Sequence, residues 1–195
     1  MGRKKSETRK REIVQSSLNL IAERGIRNLT TARIAERVGF SEAALYKHFQ
    51  SKEKVIAAAI DEAGRRLLEA LKKAVEGEKG MTSLQKVFKA HLVFVENNPG
   101  VARLLFSDEI HFERENLRAK LLRVTERVQN FVKDLLKSGI EMGEIREDLD
   151  LEAAAVFYLG VFQSQVLLWS LSGGTKSLTE EFDRLWSFYC ELIEK

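Results

Sequence analysis

The chain has 195 residues, 44% of them hydrophobic and 31% charged, with a formal net charge of +3. That is apolar material for one large or two small cores, and too much for a disordered chain. One proline and little apolar alternation point to helix nearly throughout, and the lone Cys190 excludes an internal disulfide framework and suits a reducing cytoplasm.

No apolar run is read as reaching the roughly 20 residues of a membrane span. The basic start MGRKKSETRKR leads into no apolar stretch, so no secretory signal is expected. Charge is unevenly placed. Residues 1–54 hold 13 Lys and Arg against 6 Asp and Glu, a net of +7; the remainder holds 19 against 23, a net of −4. A basic head on a mildly acidic body suits a polyanion partner.

In chain order, residues 1–11 read as a polar arm whose Lys4, Lys5, Arg9, Lys10 and Arg11 could touch phosphates. A helix follows from about Glu7 to Arg24, with Ile13, Val14, Ser17, Leu18 and Ile21 on one stripe. Gly25 ends it. Ile26 and Leu29 should tuck beneath the head. Thr30 to Phe49 then reads as two short helices around Gly39-Phe40-Ser41, where glycine permits a left-handed C-cap and Ser41 can cap the next helix. Ile34, Ala35 and Val38 give the first a core face, and Leu45 and Phe49 the second. Glu42, Ala43, Tyr46 and Lys47 are left outward, as a helix entering a DNA groove requires. An ordinary αα-corner is the plainer alternative for this stretch alone.

Ser51 caps a long helix from Lys52 to about Glu76 with no linker before it. Thr82 to Gln85 reads as a capping box opening a helix through Val87, His91 and Val95. Asn97-Asn98-Pro99-Gly100 is a stop, followed by a short helix over 101–106. Asn116 to about Met142 is amphipathic. Asp150 caps a helix from Leu151 to about Leu171 that is apolar almost all round, and Ser177 to Glu180 reads as a second capping box before the last helix. A helix apolar on every side needs cover on every side. A second subunit is the expected cover, with Phe157, Val161, Leu168 and Trp169 on one helix and Leu185, Trp186, Tyr189 and Leu192 on the other. Cys190 is expected to pack at that interface and to be unreactive.

The order of these features resembles the TetR-type bacterial transcriptional regulators. The match is strongest over Thr30 to Val55, TTARIAERVGFSEAALYKHFQSKEKV, and looser over residues 9–29; beyond about residue 60 it is architectural. The resemblance implies an all-α chain of about nine helices: a three-helix DNA-binding domain over residues 1–52, with its helix–turn–helix at about 30–49, and a ligand-binding and dimerisation domain over 53–195. It implies a repressor that binds a near-palindromic operator as a homodimer and is released by a small, apolar molecule. SEAALYKHF also looks like the nucleoid-occlusion branch, whose DNA-bound dimers restrain a cell-division polymer. By the same resemblance Thr31 meets phosphate, Ser41, Glu42, Ala43, Lys47 and His48 face the major groove or its rim, and Tyr46 and Lys52 bond phosphates. Glu42 departs from the family's frequent neutral or basic residue, so it repels phosphate or reads a cytosine amine; Gln50 stands where proline is frequent.

His48 could contact DNA or simply end its helix. The aromatic surplus of the body reads as an apolar effector pocket built from Phe88, His91, Leu92, Phe106, Phe131, Tyr158, Phe162 and Gln165, with a filled core as the alternative. His111 lies near Asp108, Glu109 and Glu113, but the spacing fits no standard metal site. No paired nucleophile and base, metal set or glycine-rich phosphate loop is visible, so neither an enzyme nor a cofactor is expected. The expected location is the cytoplasm, on the nucleoid, with no membrane partner.

Overall fold

Helix makes up 76% of the structure, and the positive-φ glycines Gly25, Gly39, Gly77, Gly143, Gly173 and Gly174 stand in the turns between helices. The computed structural model describes residues 2–195, with side chains from Ser6 onward. Among the described residues there are nine α-helices: α1 (Gly2–Arg24), α2 (Thr31–Val38), α3 (Glu42–Tyr46), α4 (Lys52–Ala74), α5 (Gly80–Glu96), α6 (Pro99–Leu105), α7 (Glu115–Glu141), α8 (Leu151–Leu171) and α9 (Phe182–Ile193). A π-helical turn, Glu109–Glu113, precedes α7. Among the described residues extended pairing is limited to the bridge between Ile145 and Glu194.

The chain divides into two compact units, one comprising Met1–Arg65 and Asn98–Arg123, the other Arg66–Asn97 and Val124–Lys195. In the first, α1 packs on α2 and α6, and α2 packs on α3. Ile13, Ile21, Leu29, Ile34, Leu45 and Ile56 are among its fully buried side chains. Gly100 makes the α1–α6 crossing close, since a Cβ there would lie 2.4 Å from the carbonyl oxygen of Leu18. The residues read as an arm are helical from Gly2, with Lys10–Glu7 and Arg9–Glu12 ion pairs one turn apart. No glycine or proline interrupts residues 3–24, so nothing ends the helix early. The expected phosphate contacts of Lys4 and Lys5 lie outside the described side chains.

In the second unit α5, α8 and α9 pack together. Neither expected capping box operates as read. Helix α5 begins at Gly80, ahead of Thr82, because the Glu144 carboxylate accepts the Met81 N–H at 2.7 Å. This leaves Ser83 buried inside the helix with its Oγ unpartnered. Ser177 Oγ accepts the Thr179 N–H at 3.2 Å in a turn, and α9 starts later, at Phe182. Asp150 does cap α8, accepting from the Ala153 N–H at 3.0 Å.

Helix α8 corrects a second expectation. Its 21 residues have a window of mean hydropathy 1.4, so by length and composition it is apolar enough to cross a membrane. Tyr158, Gln163, Ser164 and Gln165 interrupt the run in sequence without lowering the average enough. Ala154, Ala155, Tyr158, Phe162 and Val166 are buried in the unit, and Val156, Phe157, Leu167, Leu168 and Leu171 are exposed.

Candidate nucleic-acid interface

The two short helices of the head are built by their caps. Thr30 Oγ1 accepts the Arg33 N–H at 3.2 Å and opens α2. Gly39, at φ 71°, closes it in the left-handed conformation, with Phe40 N–H donating to the Ala35 carbonyl at 2.8 Å. Ser41 then caps α3 by accepting the Ala44 N–H at 3.2 Å. Helix α3 is shorter than its apolar spacing suggested, ending at Tyr46. His48 and Phe49 N–H groups still donate to the Leu45 carbonyl, at 2.9 and 3.0 Å, so the chain tightens without leaving the helical path.

Leu45 is fully buried, which turns the opposite face of α3 outward: Ser41, Glu42, Ala43, Tyr46 and Lys47 are all exposed. Thr31 and Glu42 are brought together, the threonine hydroxyl donating to Glu42 Oε2 at 2.8 Å. His48 is half-buried and stacks on Phe40 with ring centroids 6.3 Å apart, while Arg9 sits 5.1 Å from the Phe40 centroid. The ring thus helps hold the turn between α2 and α3. Lys52 is half-buried, its ammonium 3.4 Å from the buried Glu109 carboxylate, which Arg114 also approaches at 3.7 Å. Ser51 caps α4 through the Lys54 N–H at 3.2 Å.

Sequence reading missed a cleft of about 360 Å³ lined by Leu20, Arg24, Arg33, Glu36 and Arg37. Its arginines are partly engaged. Arg37 makes a two-pronged pair with Glu23 at 2.9 and 2.7 Å, and Arg33 donates to the Asn28 carbonyl at 2.6 Å. The hydrogen bond from Arg37 holds the Glu23 carboxyl below its ordinary range. Residues 33 and 37, four apart on α2, carried a signal that the apolar period hid.

In the second unit the residues read as an effector pocket are packed ring against ring. His91 stacks on Phe162 at 3.5 Å, and its Nδ1 lies 3.3 Å from the Tyr158 hydroxyl. Phe88 meets Tyr158 at 5.2 Å and Phe182 at 5.8 Å. Burial pushes the His91 pKa down to about 3, and raises that of Tyr158. Leu92 is fully buried, Phe131 half-buried, and Phe106 belongs to the first unit. Gln165 lines a groove of about 230 Å³ with Leu168, Trp169 and Leu178.

Two residues expected at a dimer interface lie inside the unit instead. Trp186 is buried against Phe88, and Tyr189 donates its hydroxyl to the Ala154 carbonyl at 2.9 Å; both point inward because α9 packs on α5 and α8 with that stripe. Cys190, also expected at the interface, is buried by its own chain, which pushes its thiol up to about 12. Phe157, Leu168 and Leu192 stay exposed, joined by Phe188 on α9. His111 Nε2 donates to the Leu105 carbonyl at 2.8 Å.

Residues 13–59 match the family described as bacterial regulatory proteins, tetR family, and residues 78–194, more than half of the chain, match the tetracyclin repressor-like C-terminal domain. The chain belongs to the TetR family. It is therefore a TetR-type DNA-binding regulator and not an enzyme. The nucleoid occlusion factor SlmA of Alteromonas mediterranea is 30% identical over 194 residues, covering 97% of each chain. SlmA of Shewanella amazonensis is 30% identical over 189 residues, covering 96% of each. Among solved structures, the transcriptional regulator FadR of Bacillus subtilis in complex with stearoyl-CoA aligns with a TM-score of 0.82 at 21% identity, over 94% of this chain and 98% of that one. FadR of Bacillus halodurans aligns at 0.84 and 20% identity, over 93% and 94%. At those identities the TetR-type fold is what is shared.

Proposed function

We propose that this TetR-family regulator works as a homodimeric repressor on a near-palindromic DNA site. Residues 1–52 would be its DNA-binding domain, and residues 53–195 its dimerisation and effector domain. The observation that carries the reading is the outward face of α3, where Ala43, Tyr46 and Lys47 stand clear of the core on a helix with caps at both neighbouring ends. Ala43 and Lys47 suit the groove, and Tyr46 a phosphate. The exposed apolar residues of α8 and α9 support the dimer, since so much bare apolar surface calls for a partner.

Release by a small apolar molecule is the proposed control. It requires the His91–Phe162–Tyr158 stack to open, because those rings now occupy each other's contact surfaces. A second reading, a DNA-bound regulator of cell division, is supported by the SlmA relatives that match nearly the whole chain. Gel retardation of fragments from the source genome tests the shared core: binding should fall steeply with salt. Adding fatty acids, acyl-CoA esters and steroids to the retarded complex then separates the outputs. DNA release by one of them supports the repressor. Undisturbed DNA binding, together with co-purification of a division polymer, replaces it with the second reading.

A further inference from the structure

We propose that Thr31 and Glu42 form one base-reading unit, in which the Thr31 hydroxyl fixes the Glu42 carboxylate to accept the N4 amine of a cytosine in the major groove. The inference rests on the DNA-binding reading above and names the chemistry of that site. Thr31 opens α2 and Glu42 opens α3, so the pair joins the starts of the two helices that frame the turn. The hydroxyl donates to Glu42 Oε2 at 2.8 Å. A hydroxyl has a single hydrogen. Once given to Glu42, it leaves none for a phosphate oxygen, which can only accept. For the Thr31 hydroxyl to donate to a phosphate, as family resemblance implies, the bond to Glu42 would have to open.

Glu42 is exposed, and among the described residues no Lys, Arg or His pairs with it. An unneutralised carboxylate repels the phosphate backbone and needs a donor. In the major groove the base donors are the N4 amine of cytosine and the N6 amine of adenine. Adenine sets the acceptor N7 beside its amine, which opposes a second carboxylate oxygen. Cytosine's own edge has only C5–H beside N4, leaving the paired guanine O6 as the single neighbouring acceptor. The neighbouring groups fit such a contact: Ala43 next to Glu42 is small, and Ser41 Oγ is turned back to accept the Ala44 N–H. With Thr31 holding one oxygen, Oε1 is left for the base.

The test uses the full chain and a randomised duplex pool, from which bound sequences are selected and read. A cytosine is expected at one fixed position in each half-site. The selected duplex is then remade with N4-methylcytosine there, which keeps the base pair but replaces the groove-facing N–H with a methyl. Wild-type affinity should drop about tenfold, and Glu42→Ala should bind both duplexes alike. Glu42→Gln should move the selected base from cytosine to adenine. Thr31→Val should lower the ratio of selected to random-sequence affinity, and Thr31→Ser should restore it. Should Thr31→Val fail to fold, the methylated duplex and the near-isosteric Glu42→Gln still decide. Absence of a fixed cytosine, or its survival in Glu42→Ala, overturns the proposal while leaving DNA binding intact. Equal weakening of selected and random DNA by Thr31→Val returns Thr31 to phosphate. Failure of the wild type to retain any duplex removes the DNA-binding reading itself.

Discussion

His91 is the residue whose chemistry is most altered by its position. Enclosed by Phe162 and Tyr158, its ring is held neutral, with burial lowering the pKa from 6.5 to about 3. The unfolded chain takes up a proton near 6.5 that the folded chain refuses until about pH 3. The stability this ring contributes is thus complete above about pH 6.5 and is lost on acidification, by up to about 1.4 kcal/mol per pH unit. His91→Phe keeps an aromatic against Phe162 and removes the titration. Urea denaturation at pH 7.5 and pH 5 should show a smaller acid loss in the variant, by about 2 kcal/mol. Equal losses would assign the protonation to another group. Ser83 gives a second expectation at this scale. Its buried Oγ has no partner, so Ser83→Ala should raise the midpoint of thermal unfolding rather than lower it. A lower midpoint would mean the hydroxyl is bonded after all.

Among the elements, α6 depends on a single missing side chain. A Cβ on Gly100 would fall 2.4 Å from the Leu18 carbonyl oxygen, and backbone on both sides leaves little room to yield. Gly100→Ala should cost about 1–3 kcal/mol, read as a lower denaturation midpoint. Little change would mean that α1 and α6 can part without penalty. The proline stop before this helix was legible, because Pro99 occupies the first helical position as its missing N–H allows. Legible too were the caps at Ser41, Ser51 and Asp150, the αL turn at Gly39, and the outward face of α3. All are local, set by residues within four of each other. What escaped was set by distant partners. Glu144 starts α5 two residues before its apparent capping box, and packing of α9 on α5 and α8 takes Trp186 and Tyr189 inward. The Thr31–Glu42 bond spans 11 positions and leaves no mark in any local pattern.

At the scale of the whole molecule, the exposed apolar face of α8 and α9 carries the expectation of a dimer. Leu168 is 60% exposed and Phe188 54%, and neither has work inside its own unit. Leu168→Asp and Phe188→Asp should each shift sedimentation toward a single chain, and weaken binding to a two-half-site duplex more than to one half-site. Dimers that persist in both variants would move the interface elsewhere. Unchanged DNA binding by a chain shown to be single would separate DNA reading from pairing. If detergent or vesicles, rather than a second copy, prove to shield the face, the apolar length of α8 takes on its other meaning.

That bare face also bears on dosage. Where pairing is weak, the number of paired chains follows the square of the number present, so halving the stock cuts the DNA-reading species roughly fourfold. A regulator of this kind would respond to its own dilution during growth more sharply than a single-chain reader. The exposed Phe157, Leu168, Leu171 and Phe188 of each unpaired chain would meanwhile be open to chaperones and proteases. The same residues that build the reader would then mark its surplus for removal.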